Sequence, residues 1–277
     1  METGEFYLID LGSRNGSFVN GRRVSIPVTL HNGDRLTFGQ TELEFYCPTI
    51  QQSEPTTGPD SKEFTATATL HVRRLISVLV VDIRDFTILT RQIDEKILSE
   101  VIGTWFRHAG DIIREYGSWV DKYIGDAVMA IWIHGTQGVQ EDEMFRVFRA
   151  LSALQKMTTD LYNHYPLPFP LRIGAGINTG YAMVGNTGSG DRPDYTALGD
   201  TVNAAFRLES ATKQIGLGVA VGETTYQYLC NLEMISDDLF KQYTVHLKGY
   251  DTTTVTYACS FTDLDNFLQL RSKSETF

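Results

Sequence analysis

SVLVVDIRDFT, residues 77–87, begins as a strand and ends with two carboxylates. Val78, Leu79, Val80, Val81 and Ile83 form a run too apolar to alternate, as expected of a central strand covered on both faces. Asp82 interrupts that run. Desolvating an ionised carboxylate is costly unless a cation or several hydrogen bonds compensate it. An aspartate that closes a strand is most often a turn former or a helix cap, and Asp85, followed by Phe86-Thr87, suits that role. Asp82 does not, because it lies inside the apolar run.

Outward from this strand, residues 94–116 place Ile97, Val101, Ile102, Trp105, Ala109, Ile112 and Ile113 along one helical face, and Gly117 ends the helix. SWVDKYIG and AVMAIWIH read as two strands joined at Gly125-Asp126. Helical periodicity returns over 141–163, with Phe145, Phe148, Ala150, Leu151, Leu154, Met157 and Leu161 inward. LRIGAGINTG and YAMVGN read as a further strand pair, and a helix follows from Thr201 to Lys213. The order β-α-β-β-α-β predicts an α+β fold on the ferredoxin-like plan. There the middle hairpin returns beside the first strand, bringing Asp126 near Asp82. Two carboxylates so placed repel unless cations lie between them. Oxygen ligands of this kind suit Mg²⁺ or Mn²⁺, and a pair of such ions suits in-line displacement at phosphorus.

The 277 residues suffice for one or two domains, and a formal charge of −10 argues against a broad nucleic-acid surface. No apolar stretch is long enough for a membrane span, and METGEFYLID lacks the pattern of a signal peptide, so a cytoplasmic location is expected. Cys47, Cys230 and Cys259 form no C-x-x-C pair, and the six histidines lack zinc-site spacing. Residues 48–63, PTIQQSEPTTGPDSKE, have a linker composition. Before them, FYLIDL and RLTFG read as short strands, with Asn-Gly turns at 15–16, 20–21 and 32–33.

DLGSRNGSFVNG, followed by Leu30, Gly33-Asp34-Arg35-Leu36 and Phe38-Gly39, resembles the second half of a forkhead-associated (FHA) domain. That family is a β-sandwich whose loops bind phosphothreonine peptides. The resemblance implies that Asn15 holds the peptide backbone. The family's phosphate-reading Arg, Ser and His belong to earlier strands than this chain contains, so only an intact FHA domain would engage a phosphothreonine protein.

VLVVDIRDFTILT, DKYIGDAVMAIW and GNTGSGDRPDYTALGDTVNAAFRLE resemble, in order, the catalytic domain of class III adenylyl/guanylyl cyclases. Asp82 and Asp126 are 126 − 82 = 44 positions apart, in keeping with that family. The resemblance implies that Asp82 and Asp126 hold two metal ions per site, Mg²⁺ or Mn²⁺, with the Ile83 carbonyl completing one shell. It implies purine contacts from Lys122 and Thr196, ribose orientation by Asn203, α-phosphate stabilisation by Arg207 and terminal-phosphate binding by Lys248, in VHLKGY. Asn203 and Arg207, four apart, share a helix face. The domains implied are a partial FHA domain at 1–47, a linker at 48–70, a cyclase domain at 71–262 and a tail at 263–277.

Lysine only donates hydrogen bonds, so Lys122 suits the unprotonated N1 of adenine, and the Thr196 hydroxyl can accept from the 6-amino group. Guanylyl members carry Glu at the lysine position. The resemblance therefore implies an adenylate cyclase acting in intracellular signal transduction, its sites shared across a homodimer. Alternatives at this point are a guanylate cyclase and an inactive FHA-linked adaptor. A diguanylate cyclase would need a Gly-Gly-Asp/Glu-Glu-Phe hairpin, which Tyr-Ile-Gly-Asp-Ala does not supply.

Overall fold

The computed structural model describes residues 6–8, 16–24, 28–47, 72–135, 137–186, 195–232, 234 and 239–274. The chain forms two compact units, Met1–His71 with Gly185–Tyr195, and Val72–Val184 with Thr196–Phe277.

In the first unit, β1 (Phe6–Leu8), β2 (Ser17–Val19), β3 (Arg22–Arg23), β4 (Val28–Leu30), β5 (Arg35–Phe38) and β6 (Thr41–Glu44) are short. β1 pairs with β4, and the antiparallel order β3-β2-β5-β6 makes a second sheet. Asn20 and Gly21, at φ 51° and 76°, turn the chain between β2 and β3 as the Asn-Gly pair predicts. Val19, Val24 and Leu36 form its small core. The Asn15 assignment falls outside the described residues.

The second unit opens on β7 (Val72–Ile83), buried from Leu75 to Val81. Alternation sends Leu75, Leu79, Val81 and Ile83 into one core and Ile76, Val78 and Val80 into another. Each such side chain stabilises the fold by roughly 2 kcal/mol when fully buried. Then come α1 (Phe86–Gln92), α2 (Glu95–Glu115), β8 (Val120–Ile124), β9 (Ala127–Ile133), α3 (Glu141–His164), β10 (Ile173–Asn186), β11 (Tyr195–Leu198) and α4 (Asp200–Ile215). β12 (Val219–Gly222), α5 (Glu223–Asn231), β13 (Lys241–Val245), β14 (Thr254–Cys259) and α6 (Phe261–Ser274) complete it. The strand order is β13-β14-β12-β10-β7-β9-β8, with β11 beside β10; β10 and β12 are parallel. Its β10-β7-β9-β8 part is the ferredoxin-like arrangement expected from the sequence.

The periodicity of the two long helices holds. Val101, Trp105, Ala109 and Ile113 of α2 meet Phe145, Phe148, Leu151 and Leu154 of α3 in the larger core. Asp94 caps α2 by accepting from the Lys96 amide at 2.9 Å, and Gly117, at φ 81°, ends it. The core also holds a satisfied polar chain: Ser77 Oγ lies 2.8 Å from both His134 Nε2 and Thr179 Oγ1, and His134 Nδ1 lies 2.7 Å from Glu143 Oε2.

Two readings change. LRIGAGINTG and YAMVGN are one strand, not a pair: β10 runs unbroken against β7 from Ile173↔Ile83 to Val184↔Val72. The glycines of this stretch are places of close approach. A Cβ at Gly176 would overlap the Ala205 carbonyl and Glu209 amide of α4, and one at Gly180 would crowd Thr201. Residues 263–274, read as part of a tail, lie in α6, whose Leu264 and Leu268 join the main core. Among the described residues, no helix is long and apolar enough to cross a membrane.

Because the α4 backbone rests directly on Gly176, Gly176→Ala should lower the unfolding free energy by about 2 kcal/mol through overpacking. Urea denaturation measures this, and an unchanged midpoint would refute the close packing of α4 on β10.

Candidate active site

β7 delivers Asp82 to the end of the sheet, on the face that Val78 and Val80 share with α4. Its neighbour in register is Ala127, so the Gly125-Asp126 turn closes beside it. The Ile83 amide donates to the Asp126 carbonyl at 3.4 Å, and Gly125, at φ 65°, permits the tight reversal. Asp82 and Asp126 are thus brought together as predicted. Ile83 itself is buried.

The electrostatics fit a cation site. Burial first, and the charge of Asp126 second, push the Asp82 carboxyl above the usual carboxylate range, while Lys213 and Arg84 oppose the shift. Lys213 Nζ donates to Asp82 Oδ2 at 3.2 Å. Burial, then the Asp82 charge, also raises Glu209. Two facing carboxylates and a neighbouring backbone carbonyl are hard oxygen donors, the set that Mg²⁺ or Mn²⁺ prefers. The residues present therefore fit the metals expected.

Nucleotide-reading candidates lie elsewhere on the protomer. Lys122 pairs with Met129, which pairs with Val80. That places Lys122 two strands over and two residues back from Asp82, about 12 Å between Cα atoms. Thr196 is buried on β11. On α4, Asn203 is exposed and Arg207 half-buried. Measured from Lys213, which touches Asp82, Arg207 lies 213 − 207 = 6 residues back and Asn203 213 − 203 = 10. At 1.5 Å per residue these are about 9 and 15 Å along the axis.

Lys248 is exposed in the turn after β13, where the Tyr250 amide donates to the Leu247 carbonyl at 3.1 Å. The Tyr250 hydroxyl donates to Asp200, in the first turn of α4. Burial and that bond push the Tyr250 hydroxyl up to about 12, against the nearby charge of Arg207. This contact joins the Lys248 loop to the helix of Asn203 and Arg207. One protomer thus presents the paired aspartates at one end of α4 and the Asn203, Arg207 and Lys248 group toward the other.

Sequence reasoning missed the residues around Asp82: Arg84, Glu209, Thr212 and Lys213. An available signal was spacing, since Glu209 falls one position after the inward-facing Leu208 and four after Ala205, hence on a buried face. Glu209, on the same helix as Arg207, faces Arg84.

Residues 71–260 match the adenylate and guanylate cyclase catalytic domain family, and residues 1–39 match the FHA domain. The chain is 29% identical over 184 residues to an adenylate cyclase of Anabaena cylindrica, covering 66% of this chain and 36% of that protein. It covers 22% of adenylate cyclase 1 of Rhizobium meliloti, at 28% identity; the chain thus spans about a third or less of these relatives. In structure it is similar to the adenylyl cyclase CyaB from P. aeruginosa, with 26% identity, TM-score 0.56, and coverage of 68% of this chain and 95% of that one. The guanylyl cyclase Cya2 is similar too, at 28% identity and TM-score 0.56, with 68% and 92% covered.

The raised carboxyls carry a stability prediction. Asp82 and Glu209 hold protons more tightly folded than unfolded. Their stabilising contribution is therefore full below the unfolded pKa and is lost as pH rises through the folded one. Asp82→Asn removes the unfavourable charge, at the loss of only an exposed lysine pair. It should raise the melting temperature of the metal-free protein by a few degrees at neutral pH, and by less in acid. A lowered melting temperature at neutral pH would contradict this account.

Proposed function

The chain belongs to the adenylate and guanylate cyclase catalytic domain family, and on that premise we propose that it converts ATP to 3′,5′-cyclic AMP and pyrophosphate at sites shared by two copies. The observation that carries this reading is the pairing of Asp82 with Asp126 at the end of a buried strand, with Asn203 and Arg207 set back along α4. One copy's aspartates would then serve the nucleotide held by the other copy's Lys122, Thr196, Asn203, Arg207 and Lys248. A two-fold dimer presents each half twice, giving two equivalent sites.

Bound Mg²⁺ or Mn²⁺, two ions per site, would acidify the ribose 3′-hydroxyl and offset charge on the triphosphate. Asp82, Asp126 and the Ile83 carbonyl would hold these ions. Lys122 donates to adenine N1, and Thr196 accepts from the 6-amino group. Asn203 fixes the ribose so that its 3′-oxygen lies in line with the α-phosphorus, and proximity of this kind supplies much of the rate. Arg207 stabilises charge growing on the α-phosphate oxygens, and Lys248 neutralises the departing pyrophosphate. No side chain is assigned as general base.

An inactive adaptor is disfavoured because both aspartates, Asn203 and Arg207 are all present. A guanylate cyclase has the similarity to Cya2 in its favour; Lys122 argues for ATP. The match of residues 1–39 to the FHA domain supports recruitment by a phosphothreonine protein, with Asn15 at the peptide backbone. A cytoplasmic signalling role accords with this reading.

Purified protein with Mn²⁺ or Mg²⁺ should form cyclic AMP from ATP far faster than cyclic GMP from GTP, and chelation should abolish both. Asp82→Ala and Arg207→Ala should each reduce kcat at least about 10²-fold. Mixed together, the two inactive variants should regain partial activity through one intact site. No recovery despite proven heterodimers would defeat the shared site. Lys122→Glu should cut kcat/KM for ATP by about 10²-fold, since a donor is replaced by an acceptor against adenine N1. An unaltered ATP-to-GTP ratio would defeat the base assignment.

A further inference from the structure

Arg84 directly follows the metal-ligand candidates Asp82 and Ile83, and its side chain turns inward rather than to solvent. The guanidinium lies across Gly174, the register partner of Asp82, where a Cβ would overlap it. Nη2 donates to Thr212 Oγ1, and Nη1 faces Glu209 Oε1 at 3.9 Å. The two side chains are only 14% and 6% exposed. Neither Nη1 nor Oε1 makes a hydrogen bond among the described residues, so each of these buried atoms depends on the charge opposite. At the backbone, the Arg84 amide donates to the Arg172 carbonyl at 2.8 Å, fixing the end of β7.

The contacts with Thr212 and Glu209 reach α4. Glu209 is two residues beyond Arg207, and Thr212 five. Gly176 lets the helix backbone rest on the sheet at the same place. A helix seated this closely moves as a body, so whatever fixes Glu209 and Thr212 fixes Arg207 and Asn203 with them. An error of about 1 Å in such placement can cost 10²-fold in rate.

Resting on the shared-site reading above, we propose that Arg84 is a positioning residue for two active sites at once. Through its side chain, held across Gly174, it fixes the stretch of β7 that carries the Asp82 carboxylate and Ile83 carbonyl for one site. Through Glu209 and Thr212 it sets the helix that presents Asn203 and Arg207 to the other. An ion pair serving stability alone would have no such double effect, and buried pairs are in any case poor stabilisers compared with apolar packing.

A heterodimer separates the two effects. One protomer carries Asp82→Ala and contributes only its nucleotide-binding half; the other carries Arg207→Ala and contributes only its aspartates. Arg84→Met added to the Asp82→Ala protomer can then act on the working site only through α4. It should lower kcat/KM for ATP about tenfold and weaken equilibrium binding of 3′-deoxy-ATP, which cannot cyclise. Heterodimer yield serves as the folding control and should hold, while the melting temperature should fall because Glu209 is left without its cation. Arg84→Lys should give a smaller effect, and Glu209→Gln in the same protomer should reproduce the full one. If Arg84→Met does not fold, the isosteric Glu209→Gln carries the test. Arg84→Met in the Arg207→Ala protomer should instead lower kcat.

If kcat/KM and 3′-deoxy-ATP binding stay unchanged when the Asp82→Ala protomer is altered, the inference is overturned and the shared site stands. If heterodimers with Arg84 intact in both chains form but are inactive, the shared site falls and this inference with it.

Discussion

Two carboxylates are held side by side where a buried strand meets a tight turn, and the rest of the catalytic unit is arranged around that repulsion. The position of Asp82 follows from β7 being central: both faces are taken by apolar packing, so the carboxylate sits at the end of the row that faces α4. The Gly125-Asp126 turn adds a second negative charge, and burial amplifies the conflict. In the folded chain, Lys213, Arg84 and the buried Glu209 share the neighbourhood. On the reading proposed above, bound divalent cations would relieve this unfavourable electrostatics.

α4 is the second organising element. Its approach to the sheet depends on a strand with side chains missing along one face, at Gly176 and Gly180, while Gly174 makes room for the Arg84 guanidinium. The three positions alternate along β10 and therefore share a face. Nearness to the sheet places the residues at one end of the helix against the aspartates, while the other end is tied through Asp200 and Tyr250 to the Lys248 loop. On the proposed reading, the metal-holding and nucleotide-holding ends of one protomer are thus joined through α4.

Much of this could be read from the residues. Apolar runs and helical spacing gave β7, α2, α3 and the hairpin, because burial dominates those segments and imposes its period directly. The pairing of Asp82 with Asp126 followed from topology alone. β10, expected as a strand pair, is one strand, because its unbroken pairing with β7 and the seating of α4 on its glycines are set by partners distant in the chain. Arg84 and Glu209 were invisible as a pair: they are 209 − 84 = 125 positions apart, and neither periodicity nor a motif connects them. The helical nature of 263–274 was missed because its weak amphipathic pattern gains meaning only against the exposed face of α3.

The hydrogen-bonded chain of Glu143, His134, Ser77 and Thr179 links α3 to three adjacent strands within an otherwise oily interior. Sliding β7 by a single residue would exchange its two faces, turning Asp82 toward α2 and α3 and stranding the Ser77 hydroxyl among hydrocarbon. Apolar packing alone tolerates such a slip fairly well, because valine, leucine and isoleucine are near equivalents. A lone hydroxyl with fixed partners on both sides does not, so the middle of the strand acts as a registration mark for chemistry several residues away.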